Sequence, residues 1–209
     1  MNQNSTLWRR PGRRRKESQQ RHREEILAAA LKVFARKGYH QASMQEIAAE
    51  ADFAVGTLYR FFPSKKALYE ALVLEEISRF HQKMMAVFAQ CPADPIKALE
   101  QVIRHRLRLI EEHLTFIRVY LAELWEARFR GGLIEEVRRY YDEYLEALGH
   151  VLAGLSPLGL PQRRLASIVD GLFATLVVEA IESQAPLPSW EEIMALLQNP
   201  LIRRSCEDQ

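Results

Sequence analysis

The apolar residues of this chain recur three and four positions apart along nearly its whole length, a spacing that fits one face of an α-helix. Ile26, Ala30, Val33 and Phe34 form one such stripe, and Leu68, Leu72, Ile77, Phe80, Met84 and Phe88 form a longer one. Runs of β-branched residues alternating with polar ones, the mark of a half-buried strand, are hard to find. An all-α fold follows. Hydrophobic residues make up 48% of the 209, which is enough material for a real core.

Stop and start signals divide the chain into about nine helices. Gly38 follows Arg36 and Lys37 and closes a first helix over about 21–37. Ser43 opens a second, with Glu46 three residues on as a capping box. Asp52-Phe53 interrupts the pattern, a third short helix covers about 54–62, and Pro63 ends it. A long fourth helix over about 65–90 closes at Cys91-Pro92-Ala93-Asp94-Pro95, and five more are expected at about 95–112, 115–129, 132–154, 162–183 and 189–204. The expected organisation is a flexible basic arm at 1–20, a three-helix domain at 21–68 and a larger helical body at 69–209.

The stretch from Ser43 to Phe62 is a helix-turn-helix. The major groove of DNA is about 12 Å wide and admits one helix, which a second must brace across the backbone. Leu58 and Phe62 lie four apart and can pack inward on Ile47 and Phe34, leaving Val55, Thr57, Tyr59 and Arg60 to the other side. Thr57 can bond a base edge or a phosphate, Val55 offers methyl surface to thymine, and Tyr59 and Arg60 reach phosphates. Gly56 costs about 1 kcal/mol of helix propensity relative to Ala. Two explanations stay open for it: close approach of an outside backbone, or packing on the second helix. Ser43 at the start of the bracing helix is counted with the DNA-facing group, as are Lys65 and Lys66, placed after Ser64 as a phosphate clamp at a helix N-terminus.

Charge supports the same division. Residues 1–66 hold 14 Lys or Arg against 6 Asp or Glu, while the remainder holds 15 against 21. A basic head on an acidic body suits a phosphate-binding head. In the arm, Arg13, Arg14 and Arg15 are candidate DNA contacts, and a solvated tail without a partner is the competing reading.

These residues carry a resemblance. Residues 22–72 resemble the N-terminal domain of the TetR family of bacterial transcriptional regulators. The match runs through Phe34-Ala35-Arg36-Lys37-Gly38-Tyr39, then Ser43-Met44-Gln45-Glu46-Ile47-Ala48. It continues as Ala51-Asp52-Phe53-Ala54-Val55-Gly56-Thr57-Leu58-Tyr59-Arg60-Phe61-Phe62 and Ser64-Lys65-Lys66-Ala67-Leu68. The resemblance implies a homodimer that grips a palindromic double-stranded DNA operator, a body that binds a small hydrophobic effector, and release of the operator on binding, hence repression. Ala54 stands where the family often has Ser, Phe61 where Tyr is common, and Val55 at a frequently polar position. The reading face is thereby less polar, which shifts weight from base-edge hydrogen bonds to methyl and backbone contacts. The competing function is a helical ligand-binding or scaffold protein without sequence-specific DNA binding.

In the body, the helix at 162–183 is apolar on nearly every face and is expected to pack on the core with one side and on a partner chain with the other. Leu172, Phe173, Leu176, Val177 and Ile181, with Met194 and Leu197 of the last helix, form the expected dimer interface. An aromatic cluster suggests a ligand pocket lined by Phe116, Tyr120, Glu123, Trp125, Phe129, Tyr141 and Tyr144. Glu123 in that pocket would suit a cationic ligand; without it, a long-chain or aromatic neutral compound fits as well.

Nothing points to an enzyme, a cofactor or a metal. His105 and His113, and the Glu146–His150 pair, match no metalloprotease, di-iron or triad pattern. Cys91 and Cys206 stand apart without ligand spacing, which fits inert thiols in a reducing compartment. The longest uncharged apolar run, 171–178, is too short to span a bilayer, and a cytoplasmic location is expected.

Overall fold

Nine α-helices account for most of residues 11–124, 132–155 and 159–201, the part of the chain that the computed structural model describes, and no strand occurs among them. In order they are α1 Pro11–Gln41, α2 Met44–Glu50, α3 Val55–Phe61, α4 Lys65–Phe88, α5 Pro95–Glu112, α6 Leu114–Leu124, α7 Gly132–Leu152, α8 Gln162–Glu182 and α9 Trp190–Leu201. A short 3₁₀ turn, Ala153–Leu155, follows α7.

The first helix begins ten residues earlier than expected. Residues 11–20, read from the sequence as part of a flexible arm, are helical. Pro11 at the first position has its φ already set for a helix, and the Arg, Lys, Glu and Gln that follow are good helix formers. Gln20 Nε2 donates to Glu24 Oε1 at 2.8 Å, one turn on. Like-charge repulsion among the arginines is weaker than this combined propensity. Residues 1–10 of the expected arm lie outside the described residues.

Two compact units divide the chain, Met1–Val73 with Val119–Glu126, and Leu74–Arg118 with Ala127–Gln209. The first unit extends to Val73, and Leu68, Tyr69, Leu72 and Val73 are all buried. In the first unit, Ile26, Ala30, Val33 and Phe34 of α1 are buried, as are Ile47 of α2 and Leu58 of α3. Phe34, Tyr39 and Tyr69 form an aromatic trio with centroids 5.1–5.7 Å apart, Tyr69 meeting the other two edge-on. In the second unit α7 and α8 pack extensively on each other, and α5 packs on α7 and α9. Their core holds Leu99, Val102, Leu145, Leu148, Val169, Phe173 and Ile193.

Local chemistry fixes the joints. Asp94 accepts from the amides of Ile96 (2.9 Å) and Lys97 (3.2 Å), with Pro95 as the first residue of α5. Gly38 interrupts α1 with φ 74° and ψ 163°, a conformation open to glycine almost alone. An added Cβ there would meet nothing within 4 Å, so the constraint is conformational and not steric crowding. Gly38→Ala is expected to lower unfolding stability by about 1–3 kcal/mol, read by urea denaturation followed by helical circular dichroism.

Candidate functional site

The second and third helices are joined by a turn of defined chemistry. The amide of Phe53 donates to Ala48 O at 2.9 Å and that of Asp52 to Ala49 O at 3.3 Å, with Asp52 in the left-handed region at φ 58°. This pair of bonds closes α2 and turns the chain sharply, and Asp is one of the few non-glycine residues that tolerate the geometry. Phe53 then packs against His22 of α1 at 5.2 Å between centroids, which holds the turn to the scaffold.

At the other end of α2 the capping box is complete. Ser43 Oγ accepts from the Glu46 amide at 3.2 Å, and Glu46 Oε2 accepts from the Ser43 amide at 3.0 Å and its hydroxyl at 2.9 Å. The Ser43 hydroxyl therefore serves the helix end. Lys37 forms an ion pair with the other Glu46 oxygen. Lys37 first, then Ser43, lowers the Glu46 carboxyl from 4.5 to about 2.

Helix α3 presents two unlike faces. Leu58 is 0% exposed, while Tyr59 is 47% exposed and Arg60 is also exposed. Val55 and Thr57 are half-buried and Gly56 is exposed. A Cβ placed on Gly56 meets nothing within 4 Å, so packing on the second helix does not explain this glycine. Ala54 caps α3 without any side-chain hydrogen bond.

The two lysines after Ser64 differ. Lys65 Nζ donates to Tyr39 O at 2.7 Å, His40 O at 3.0 Å and Ala42 O at 2.7 Å, and lies 4.7 Å from the Tyr39 ring centroid. An ammonium has three donors, and all three are spent on the link between α1 and α2. The expected phosphate clamp is therefore corrected: Lys65 is a strut that satisfies carbonyls left open when Gly38 breaks the helix. Lys66 stays at the surface, 3.7 Å from Glu70. Arg15 is exposed, whereas Arg13 and Arg14 lie within α1 with side chains outside the described residues.

The second unit contains a pocket of about 140 Å³ between α4, α5 and α7. Tyr141 and Tyr144 line it as expected candidates, together with Phe80, Met84, Tyr140 and Arg106. Phe116, Tyr120 and Glu123 do not line it. Glu123 is buried in the first unit, 3.5 Å from His40 Nε2, and its charge adds to burial in raising the Tyr69 pKa. Glu123 therefore takes no part in this pocket. Trp125 and Phe129 lie outside the described residues.

The pocket's polar group was not foreseen. Arg106 Nη1 donates to Tyr144 OH at 2.8 Å and forms an ion pair with Asp170, which accepts from Tyr141 OH at 2.7 Å. Arg106 also lies over the rings of Phe173 (4.2 Å) and Tyr144 (4.9 Å). Burial opposes its charge, but Tyr144 and Asp170 outweigh that and hold its pKa above the usual value. Burial, then the bond to Asp170, pushes Tyr141 up to about 12. The sequence does contain a signal: Arg106 interrupts the apolar stripe of Val102, Ile103 and Ile110, and Asp170 stands between Val169 and Phe173. Charges on core faces persist when paired.

The expected dimer face also changes. Phe173, Val177 and Leu197 are buried in the chain's own core, at 2%, 6% and 8% exposure. Leu172, Leu176, Ile181 and Met194 are half-buried, while Ile168 and Leu196 are 47% and 44% exposed. Apolar residues sit all round α8 because its inner face builds the core and its outer face is left over. Elsewhere, Cys91 is half-buried and burial raises its thiol pKa, which disfavours the reactive thiolate. Among the described residues no group of His, Cys, Asp and Glu could hold a metal, and no helix is long and apolar enough to cross a membrane.

Comparison with known proteins agrees with this geometry. Residues 26–72 match the family described as bacterial regulatory proteins, tetR family. The chain is 26% identical over 173 residues to the HTH-type transcriptional regulator AcrR of Shigella flexneri, covering 79% of this chain and 80% of that protein. It is 42% identical over 67 residues to the HTH-type transcriptional repressor KstR of Mycobacterium tuberculosis, a match that covers 32% of this chain and 30% of the relative. The crystal structure of the regulator FadR from Bacillus subtilis in complex with stearoyl-CoA shares the fold at a TM-score of 0.61 and 24% identity, covering 83% of this chain and 92% of that one.

Two outcomes follow from the first unit's chemistry. Lys65→Met should cost about 2 kcal/mol of stability by leaving carbonyls without their charged donor, whereas Lys66→Ala should leave stability within about 0.5 kcal/mol. Both are read by chemical denaturation. Because the Glu46 carboxyl titrates near 2 when folded and at its ordinary 4.5 when unfolded, its contribution is complete above about 4.5 and disappears as pH falls towards 2. Thermal melts at pH 7 and pH 3 should show a smaller acid-induced loss for Glu46→Gln than for the parent chain.

Proposed function

We propose that the chain is a repressor of the TetR family of bacterial transcriptional regulators, as the match of residues 26–72 supports, and that its homodimer grips a palindromic operator and releases it when a small hydrophobic effector fills the body. It is a transcriptional regulator and not an enzyme, as its relatives are. The single observation that carries the DNA reading is the face of α3 opposite buried Leu58. Exposed Tyr59 and Arg60, half-buried Thr57 and a Gly56 on which an added Cβ would meet nothing within 4 Å suit close approach to a phosphate backbone. The name of the KstR relative supports repression. The pocket of the second unit, and the stearoyl-CoA held by FadR of Bacillus subtilis, support control by a small molecule.

For the dimer, the outer face of α8 with Ile168 and Leu172, together with Leu196 of α9, is the proposed partner surface. Ile168→Asp with Leu172→Asp should give folded monomers in sedimentation velocity. Phe173→Asp should instead lose helical signal, because it places a charge in the protomer core beside Asp170. A folded monomer from Phe173→Asp would refute this division of α8.

Selection of bound DNA from a random pool is expected to return a palindrome. Against that operator, Tyr59→Ala and Thr57→Ala should each weaken binding about tenfold with helicity intact, in a titration at fixed salt. Binding should fall steeply with salt as counterions are released. Weak binding with no sequence preference and no loss on changing α3 would favour the competing helical ligand-binding or scaffold protein.

A further inference from the structure

The pocket between α4, α5 and α7 states its own ligand chemistry. Its 140 Å³ lies below the 300–1,000 Å³ range typical of drug-sized sites and near the volume of an engineered cavity that accepts benzene. That space suits one aromatic ring with a small substituent. The rings of Phe80, Tyr140, Tyr141 and Tyr144 supply its wall.

Polarity enters at His81, whose Nε2 lies 2.8 Å from Glu143 Oε2, and at Arg106. Arg106 Nη1 is taken by Tyr144 and Asp170, but its Nε is buried without a hydrogen-bond partner. A buried donor left open costs free energy that a ligand acceptor can recover. Charge narrows the choice further. Asp170 already neutralises Arg106, so an anionic ligand would leave a net negative charge in an apolar site. The Asp170 oxygens accept from Arg106 and from Tyr141 OH, so a cation would have to compete with both.

We infer that this pocket takes a compact, neutral aromatic molecule bearing one hydrogen-bond acceptor, and that the Arg106 guanidinium turns so that its buried Nε–H meets that acceptor. This rests on the regulator reading only for its biological use, since binding is measured without DNA. The test uses the full-length protein and isothermal titration with acetophenone, ethylbenzene, benzoate and benzylamine. Acetophenone should bind about tenfold tighter than ethylbenzene, which has its shape but no acceptor, and tighter than either charged compound. Val137→Trp, which fills the space from α7, should abolish binding while the helical melt is retained.

Arg106→Met alone would strand Asp170 in the core, so the paired variant Arg106→Met with Asp170→Leu is the informative one. It should bind acetophenone and ethylbenzene equally. Equal binding in the parent chain overturns the role of Arg106, and tighter benzoate or benzylamine binding overturns the neutral class. Binding that survives Val137→Trp, or no binding of any probe, overturns the site. Operator selection that still succeeds in those cases leaves the regulator reading standing.

Discussion

A helix of seven residues cannot hold itself together in water, and everything the first unit does rests on one such helix. The cost of nucleating helix is recovered only over a dozen residues or more, so α3 exists because Leu58 and the following Phe62 are buried against the scaffold. Nothing at its N-terminus helps, since Ala54 makes no side-chain cap. The burial that forms the helix also orients it. Leu58 inside leaves Tyr59 and Arg60 outside, so the stability of α3 and the exposure of its proposed DNA-facing side share one packing contact.

That contact needs a scaffold with fixed joints. Three devices supply it: a Gly-only break at Gly38, a left-handed Asp52 between α2 and α3, and a capping box at Ser43. Lys65 then ties the Gly38 end down through three carbonyls. A charged residue in a DNA-binding head is readily taken for a phosphate contact. Here the backbone's demand for donors takes precedence, because carbonyls left open in a part-buried turn cost more than a surface lysine contributes.

The body is organised around a different demand. Arg106 and Asp170 sit on core faces of α5 and α8, where each charge is tolerable only beside the other. Their pairing with Tyr141 and Tyr144 gives the pocket a charge-balanced polar group beside His81, and that balance suits a neutral occupant. Each of the two, taken singly, is one charge in an amphipathic helix, and only their meeting marks them as a pair. The two aromatic candidates that do line the pocket lie on α7, whereas Tyr120 and Glu123 fall in the first unit despite their shared helical face.

The sequence by itself determined the helical class, the positions of most breaks, the capping box and the inward and outward faces of α3. Those follow from local rules, a period of 3.6 residues and the chemistry of helix ends, which operate within a few positions of each other. Only the tertiary structure decided that Lys65 is a strut, that Phe173, Val177 and Leu197 belong to the protomer core, and that Arg106 meets Asp170. Each of these depends on residues more than twenty positions apart, and periodicity carries no information about which faces meet. The early start of α1 at Pro11 is the exception: its helix propensity is a local property of residues 11–20, and it outweighs the like charge of the arginine run.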